Sequence, residues 1–156
     1  MLLLAGKRVL LLDADGVLRR LPDGEALEGL DRLEAFLREP EFSDVLVVAA
    51  GEWKRHLQPG QIRGLFSHDV RERFVGATPN IEGADRFRSH VEIHAWLDSH
   101  LEIASGVVLE SGYYWQQFPA LECAVFVPPR AVLGLGELDA VRGIFRSERV
   151  GSVTSQ

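Results

Sequence analysis

Cysteine, methionine and tyrosine are scarce in this 156-residue chain (one, one and two), and positive charge falls short: 17 lysines and arginines face 23 aspartates and glutamates, net −6. A single cysteine, Cys123, excludes an intrachain disulfide framework and fits a reducing compartment. It stands in an apolar run, as a structural thiol does, which speaks against a nucleophile. The negative balance argues against a broad electrostatic grip on nucleic acid, though a local basic groove remains open. Residues Met1 to Ala5 are apolar but too short for a signal peptide or a membrane span. The expectation is a soluble cytoplasmic protein with no membrane partner. Internal repeats and low-complexity segments are absent as well.

What is present is enough for a core. Hydrophobic residues make up 46% of the chain and charged residues 26%, in a length that suits one domain. The most informative segment runs from Lys7 to Leu18. Apolar Val9, Leu10, Leu11 and Leu12 lead into Asp13-Ala14-Asp15-Gly16-Val17-Leu18. An unbroken apolar run bounded by polar residues reads as a strand buried on both faces. In open parallel sheets, chemistry lies beyond the carboxyl ends of the strands. Extended side chains alternate, so Asp13 and Asp15 face the same way. Two carboxylates in one small space repel, and a cation between them relieves this. Oxygen ligands of this kind suit Mg²⁺, and a carboxylate can also attack phosphorus.

The remaining pattern alternates. Leu27, Leu30, Leu33, Phe36 and Leu37 have helical spacing within residues 25–39, a helix ended by Pro40. Residues 45–50 read as a second strand, and 53–66 as helix interrupted at Pro59-Gly60. A third strand covers 73–79, followed by a loop to residue 86. A helix spans 88–101, a fourth strand 106–110, a fifth 121–127, and a last helix 138–145. Strands alternating with helices imply parallel pairing through right-handed crossovers.

The strand followed by Asp-x-Asp-Gly-Val-Leu resembles the first motif of the haloacid dehalogenase (HAD) superfamily. Within it, the chain is similar over residues 7 to 146 to the HAD-like domains of RNA-repair proteins and of stand-alone bacterial or mobile-element proteins. The resemblance implies an α/β, Rossmann-like fold with a five-stranded parallel sheet, order 5-4-1-2-3. The connector after the first strand is too short for a large cap. Residues 1–146 would form a single HAD-like domain and 147–156 a polar tail.

By the same resemblance, Asp13 is the nucleophile and a Mg²⁺ ligand. Asp15 is the general acid/base, and its backbone carbonyl is a further ligand. The second motif of the family is a serine or threonine whose hydroxyl holds a phosphate oxygen. Here the segment reads Ala49-Ala50-Gly51-Glu52-Trp53-Lys54, and the hydroxyl is missing. Backbone N–H groups at Gly51 and Glu52 are candidates to hold the oxyanion instead. Lys54 is either a phosphate ligand or a solvated helix lysine. The third motif is a cation, matched by Arg88 with Arg86 as rival; a surface pair between Arg88 and Glu92 is the plainer alternative. The fourth motif, normally two aspartates, reads Glu110-Ser111, leaving Glu110 as the metal ligand.

His90 and His94 read as helix-surface residues. Tyr113-Tyr114-Trp115 is either a stacking platform or packing for the fifth strand. Thr78 reads as structural. The expected function is a weak Mg²⁺-dependent phosphohydrolase that forms an aspartyl-phosphate. Its substrate is a phosphomonoester, with nucleotides and nucleic-acid ends among the candidates. The alternative is a catalytically impaired binding or regulatory protein on the same fold. A protein partner covering the open site belongs to either reading. A receiver-like signalling domain fits worse, because the third strand ends in Ala77-Thr78-Pro79 rather than in an aspartate.

Overall fold

The computed structural model describes residues 2–20, 24–82, 88–111 and 123–154. Five strands form one sheet: β1 (Arg8–Leu12), β2 (Leu46–Ala49), β3 (Phe74–Ala77), β4 (Ser105–Ser111) and β5 (Ala124–Val127). Their order is β3-β2-β1-β4-β5, all parallel. Read from the other edge, this is the order that the resemblance implies. The helices are α1 (Leu30–Leu37), α2 (Trp53–His56), α3 (Pro59–Leu65), α4 (Arg88–Ser99) and α5 (Leu135–Thr154). Among the described residues, no helix is long and apolar enough to cross a membrane.

The alternation of β1 sorts its side chains onto two faces. Leu10 and Leu12 join Val47, Ala49, Val107 and Leu109 in a large cluster that also holds Phe36 of α1 and Leu138, Val141 and Phe145 of α5. Val9 and Leu11 join Val48, Ala50 and Val108 beneath Ile93 and Trp96 of α4. Every residue of β1 is buried; after Arg8, whose guanidinium pairs with Asp44, the strand is apolar from Val9 to Leu12. Each such side chain contributes about 1.5–3 kcal/mol.

The helical stretch at 53–66 divides where its proline predicts. Pro59 opens α3, and the Gln58 backbone N–H donates to Gln61 Oε1 at 2.7 Å. The last helix differs more. It begins three residues earlier than its spacing indicates and continues to Thr154, through the segment expected as a polar tail. Leu2–Leu4 forms one 3₁₀ turn, with Leu4 against the smaller cluster and Leu3 in solvent. The first two residues of the expected fifth strand, 121 and 122, lie outside the described residues.

Candidate active site

The register of the sheet builds the site. Leu12 pairs with Ala49 on one side and Leu109 on the other. One residue further on, Asp13 therefore lies beside Glu110 of β4 and beside the Ala50-Gly51 step after β2. The Asp13 N–H donates to Leu109 O at 3.1 Å, and Ala50 N–H to Leu12 O at 2.9 Å. Between the two aspartates, Ala14 is turned into the larger cluster. The chain then closes a tight turn. The N–H groups of Val17, Leu18 and Arg19 all donate to Ala14 O, and Gly16 takes a φ of 82° that favours glycine.

Within this turn, the Asp15 N–H donates to Asp13 Oδ1 at 3.1 Å. The Asp15 carboxylate accepts from Arg19 Nη2 at 2.5 Å. Burial pushes the Asp13 carboxyl well above the usual carboxylate range, and the neighbouring Glu110 and Asp15 push it further; backbone N–H groups of Asp15 and Ala14 oppose this. Glu110 is 5% exposed, and burial raises it from 4.5 to about 7, opposed by Ser89 Oγ, which donates to its Oε1 at 3.3 Å. Its Oε2 is buried and has no hydrogen-bond partner among the described residues. His90 Nε2 stands 3.7 Å from that oxygen. Desolvation, then His94, lowers the His90 pKa and so favours the neutral ring.

For a divalent cation the donor chemistry fits. Hard carboxylate oxygens converge, their mutual repulsion raises Asp13, and a buried Glu110 oxygen is left over. Among the described residues, however, no group of three His, Cys, Asp or Glu side chains is gathered to hold a metal ion. What Asp13 and Glu110 offer is a pair, which suits a cation that keeps several waters.

Gly51 has a φ of 83°, and its backbone presses on the first aspartate. A Cβ at Gly51 would fall 2.5 Å from Asp13 Cγ and 2.6 Å from Oδ2. Ala50 does not face this space; it packs with Val9, Leu11, Val48, Ile93 and Trp96. Trp53, at the start of α2, donates from Nε1 to Leu12 O at 3.2 Å and ties α2 to the end of β1.

The other cations are placed as follows. Lys54 is not solvated: its side chain is 1% exposed, and Nζ pairs with Glu92 Oε1 at 2.9 Å. It also donates to Asn80 Oδ1 at 2.5 Å and to Pro79 O at 3.3 Å. Desolvation lowers its pKa, with Glu92 opposing. Arg55 and the Ile81 N–H share Oε2 of the same Glu92. Arg88 opens α4, one residue before Ser89 and two before His90, whose side chains reach Glu110. Thr78 is buried, and its Oγ1 has no hydrogen-bond partner among the described residues. Arg86, Gly112 and the Tyr113-Tyr114-Trp115 run lie outside the described residues.

Two neighbours of the site escaped the sequence reading. Arg19 pairs with Asp15 across a turn that no helical spacing announces. The sequence pattern places His90 on the helix surface, yet it is 5% exposed. The available signal was the spacing of His90, Ile93 and Leu97, which is that of one buried helix face.

No curated protein and no solved structure matches this chain. The family described as the HAD domain in Swiss Army Knife RNA repair proteins matches residues 9–140, most of its length. With Asp13 and Asp15 beyond the central strand of a five-stranded parallel sheet, the chain belongs to that family.

Proposed function

We propose that this protein is a divalent-cation-dependent phosphohydrolase acting on phosphomonoesters. The observation that carries the reading is the convergence of Asp13, Asp15 and Glu110 at the carboxyl end of β1 and β4. The Asp13 carboxylate attacks phosphorus, and the bond to the leaving oxygen breaks as that oxygen takes a proton from Asp15. Water then attacks phosphorus, the bond between phosphorus and the Asp13 oxygen breaks to release inorganic phosphate and restore the carboxylate, and Asp15 takes the proton of that water. Asp13 and Glu110 would hold Mg²⁺, which supplies positive charge opposite the transferring phosphoryl group. Burial favours the protonated form of Asp13, so cation binding and ionisation of the nucleophile are coupled. Arg19 holds Asp15 in position, and its contact must loosen when Asp15 carries the proton. Gly51 and Glu52 N–H groups and Arg88 stand as phosphate ligands. Lys54, held by Glu92, acts at most through the position of α2.

One observation favours a second reading, a binding protein with catalysis lost. The Gly51 backbone fills the space beside the nucleophile where the family carries a hydroxyl-bearing side chain. The deciding experiment is an assay with Mg²⁺ on a panel of phosphomonoesters, including nucleotides and 3′- and 5′-phosphorylated oligonucleotides. Turnover that Asp13→Asn abolishes supports the hydrolase. No turnover on any member, with Mg²⁺ bound, supports the binding protein.

A further inference from the structure

Asp15 lines a hollow of about 370 Å³ between the turn after β1 and the α2–α3 segment. A space of that size is within the range of small-molecule sites. Its wall is apolar: Leu27 ahead of α1, Trp53 at the start of α2, Leu57 just after α2 and Leu65 at the end of α3. Trp53 is held by its Nε1 bond to Leu12 O, and Leu27 and Leu57 pack against the large cluster. Leu65 is 38% exposed, so part of the wall is open to an incoming group. The charged part of the lining is short of positive charge. Asp15 and Glu25 are carboxylates, and the guanidinium beside them, Arg19, already pairs with Asp15. His56 stands in solvent, its Nε2 4.0 Å from the Glu52 carboxylate. A second apolar hollow, lined by Val75 and Trp96 over β3, touches neither aspartate.

We propose that the hollow beside Asp15 takes the leaving group of the substrate, and that this leaving group is a neutral alcohol with an apolar, ring-sized body. The inference rests on the hydrolase reading, in which Asp15 protonates the leaving oxygen. The carbon attached to that oxygen then lies on the Asp15 side of phosphorus, where the hollow begins. An apolar body beyond it covers the leucines and Trp53, and both surfaces leave water. A nucleic-acid end fits worse. Its next phosphate lies one nucleoside away from the scissile one. Among the lining residues that phosphate meets Glu25 and a guanidinium already neutralised by Asp15. Nucleic-acid binding runs on lysines and arginines that neutralise successive phosphates, and this lining has the opposite balance.

The test uses the full chain with Mg²⁺ and has two readouts. Where there is turnover, kcat/KM decides, compared for benzyl phosphate, glycerol phosphate and a 5′-phosphorylated dinucleotide. Where there is none, calorimetry decides, comparing 2-phenylethylphosphonate with methylphosphonate. In the first of these a CH₂ group replaces the ester oxygen of benzyl phosphate, so it cannot be hydrolysed. Each buried methylene is worth about fourfold in affinity, so a half-buried ring should give a preference of at least about tenfold in either readout. Leu65→Asp should remove most of that preference, and Glu25→Lys should raise the dinucleotide relative to benzyl phosphate. Turnover with benzyl phosphate no better than glycerol phosphate or the dinucleotide overturns the proposal and leaves the hydrolase reading standing. A ring preference that Leu65→Asp leaves intact also overturns it, since the ring then sits elsewhere. A binding preference without any turnover keeps the hollow as a ligand subsite while the hydrolase reading falls. Neither turnover nor a binding preference overturns both. The wild-type comparison decides the matter even if a variant does not fold.

Discussion

Glu110→Gln should make the cation-free protein more stable at neutral and alkaline pH, and leave it unchanged in acid. The buried Glu110 carboxyl has its pKa raised from 4.5 to about 7. Between those two values the native state keeps a proton that the unfolded chain has released. Native stability therefore falls as pH rises through this window, and is fully present only below it. At about 1.36 kcal/mol per decade the loss amounts to roughly 3 kcal/mol above pH 7. Asp13 is raised for the same reasons, with Glu110 among its causes, so it steepens the same slope. Glutamine keeps the shape and carries no charge. The assay is urea unfolding of both proteins from about pH 4.5 to 8.5, without divalent ions and then with Mn²⁺ or Mg²⁺. The expected curves coincide in acid and separate by about 3 kcal/mol in base. Added cation narrows the gap, because the wild type keeps the Glu110 carboxylate as a ligand and so gains more from the cation than the variant does. Parallel curves across the whole range would show that Glu110 ionises freely in the native state, and the account of a charge-starved site would be wrong.

Asp13→Asn should abolish turnover while raising cation-free stability above neutral pH, measured by the phosphomonoester assay and by denaturation. Gly51→Ser should cost about 2 kcal/mol or more, since its φ and its contact with Asp13 both resist a side chain. It should not raise activity; a gain in turnover would mean that the segment after β2 shifts readily. Lys54→Met should destabilise the fold by about 3 kcal/mol in urea unfolding, because it breaks a buried pair and leaves Glu92 with Arg55 and a backbone N–H. A change below about 0.5 kcal/mol, the scale of ordinary surface substitutions, would mean that Arg55 alone balances Glu92.

Much of the fold was legible because the strands are buried on both faces. Leu10, Leu12, Val47 and Val107 on one side, and Val9, Leu11, Val48 and Val108 on the other, make the central stretches of β1, β2 and β4 apolar on both faces. Asp13 and Asp15 could be placed from the alternation that turns Ala14 into the core. The surroundings of the site were less legible, since they depend on register and on contacts between elements. Nothing local tells Lys54 that Glu92 waits on α4, or Glu110 that His90 lies opposite. Helix ends were the least legible. The apolar spacing read from the sequence stops at Phe145, while α5 continues to Thr154.

The contact between Gly51 and Asp13 bears on how this site can change over mutational time. In many enzymes a lost hydroxyl returns by one substitution, because the position still has room for a side chain. Here the room has closed. A side chain at Gly51 meets the Asp13 carboxylate, and one at Ala50 enters the cluster under Trp96. A path back to a hydroxyl-bearing site must first move the segment between β2 and α2, which Trp53 anchors to β1. Placing a hydroxyl at Gly51 or Ala50 therefore asks for a shift of this segment as well as a substitution. Directed evolution of this chain towards a faster phosphatase should begin at the Trp53 anchor rather than at Gly51.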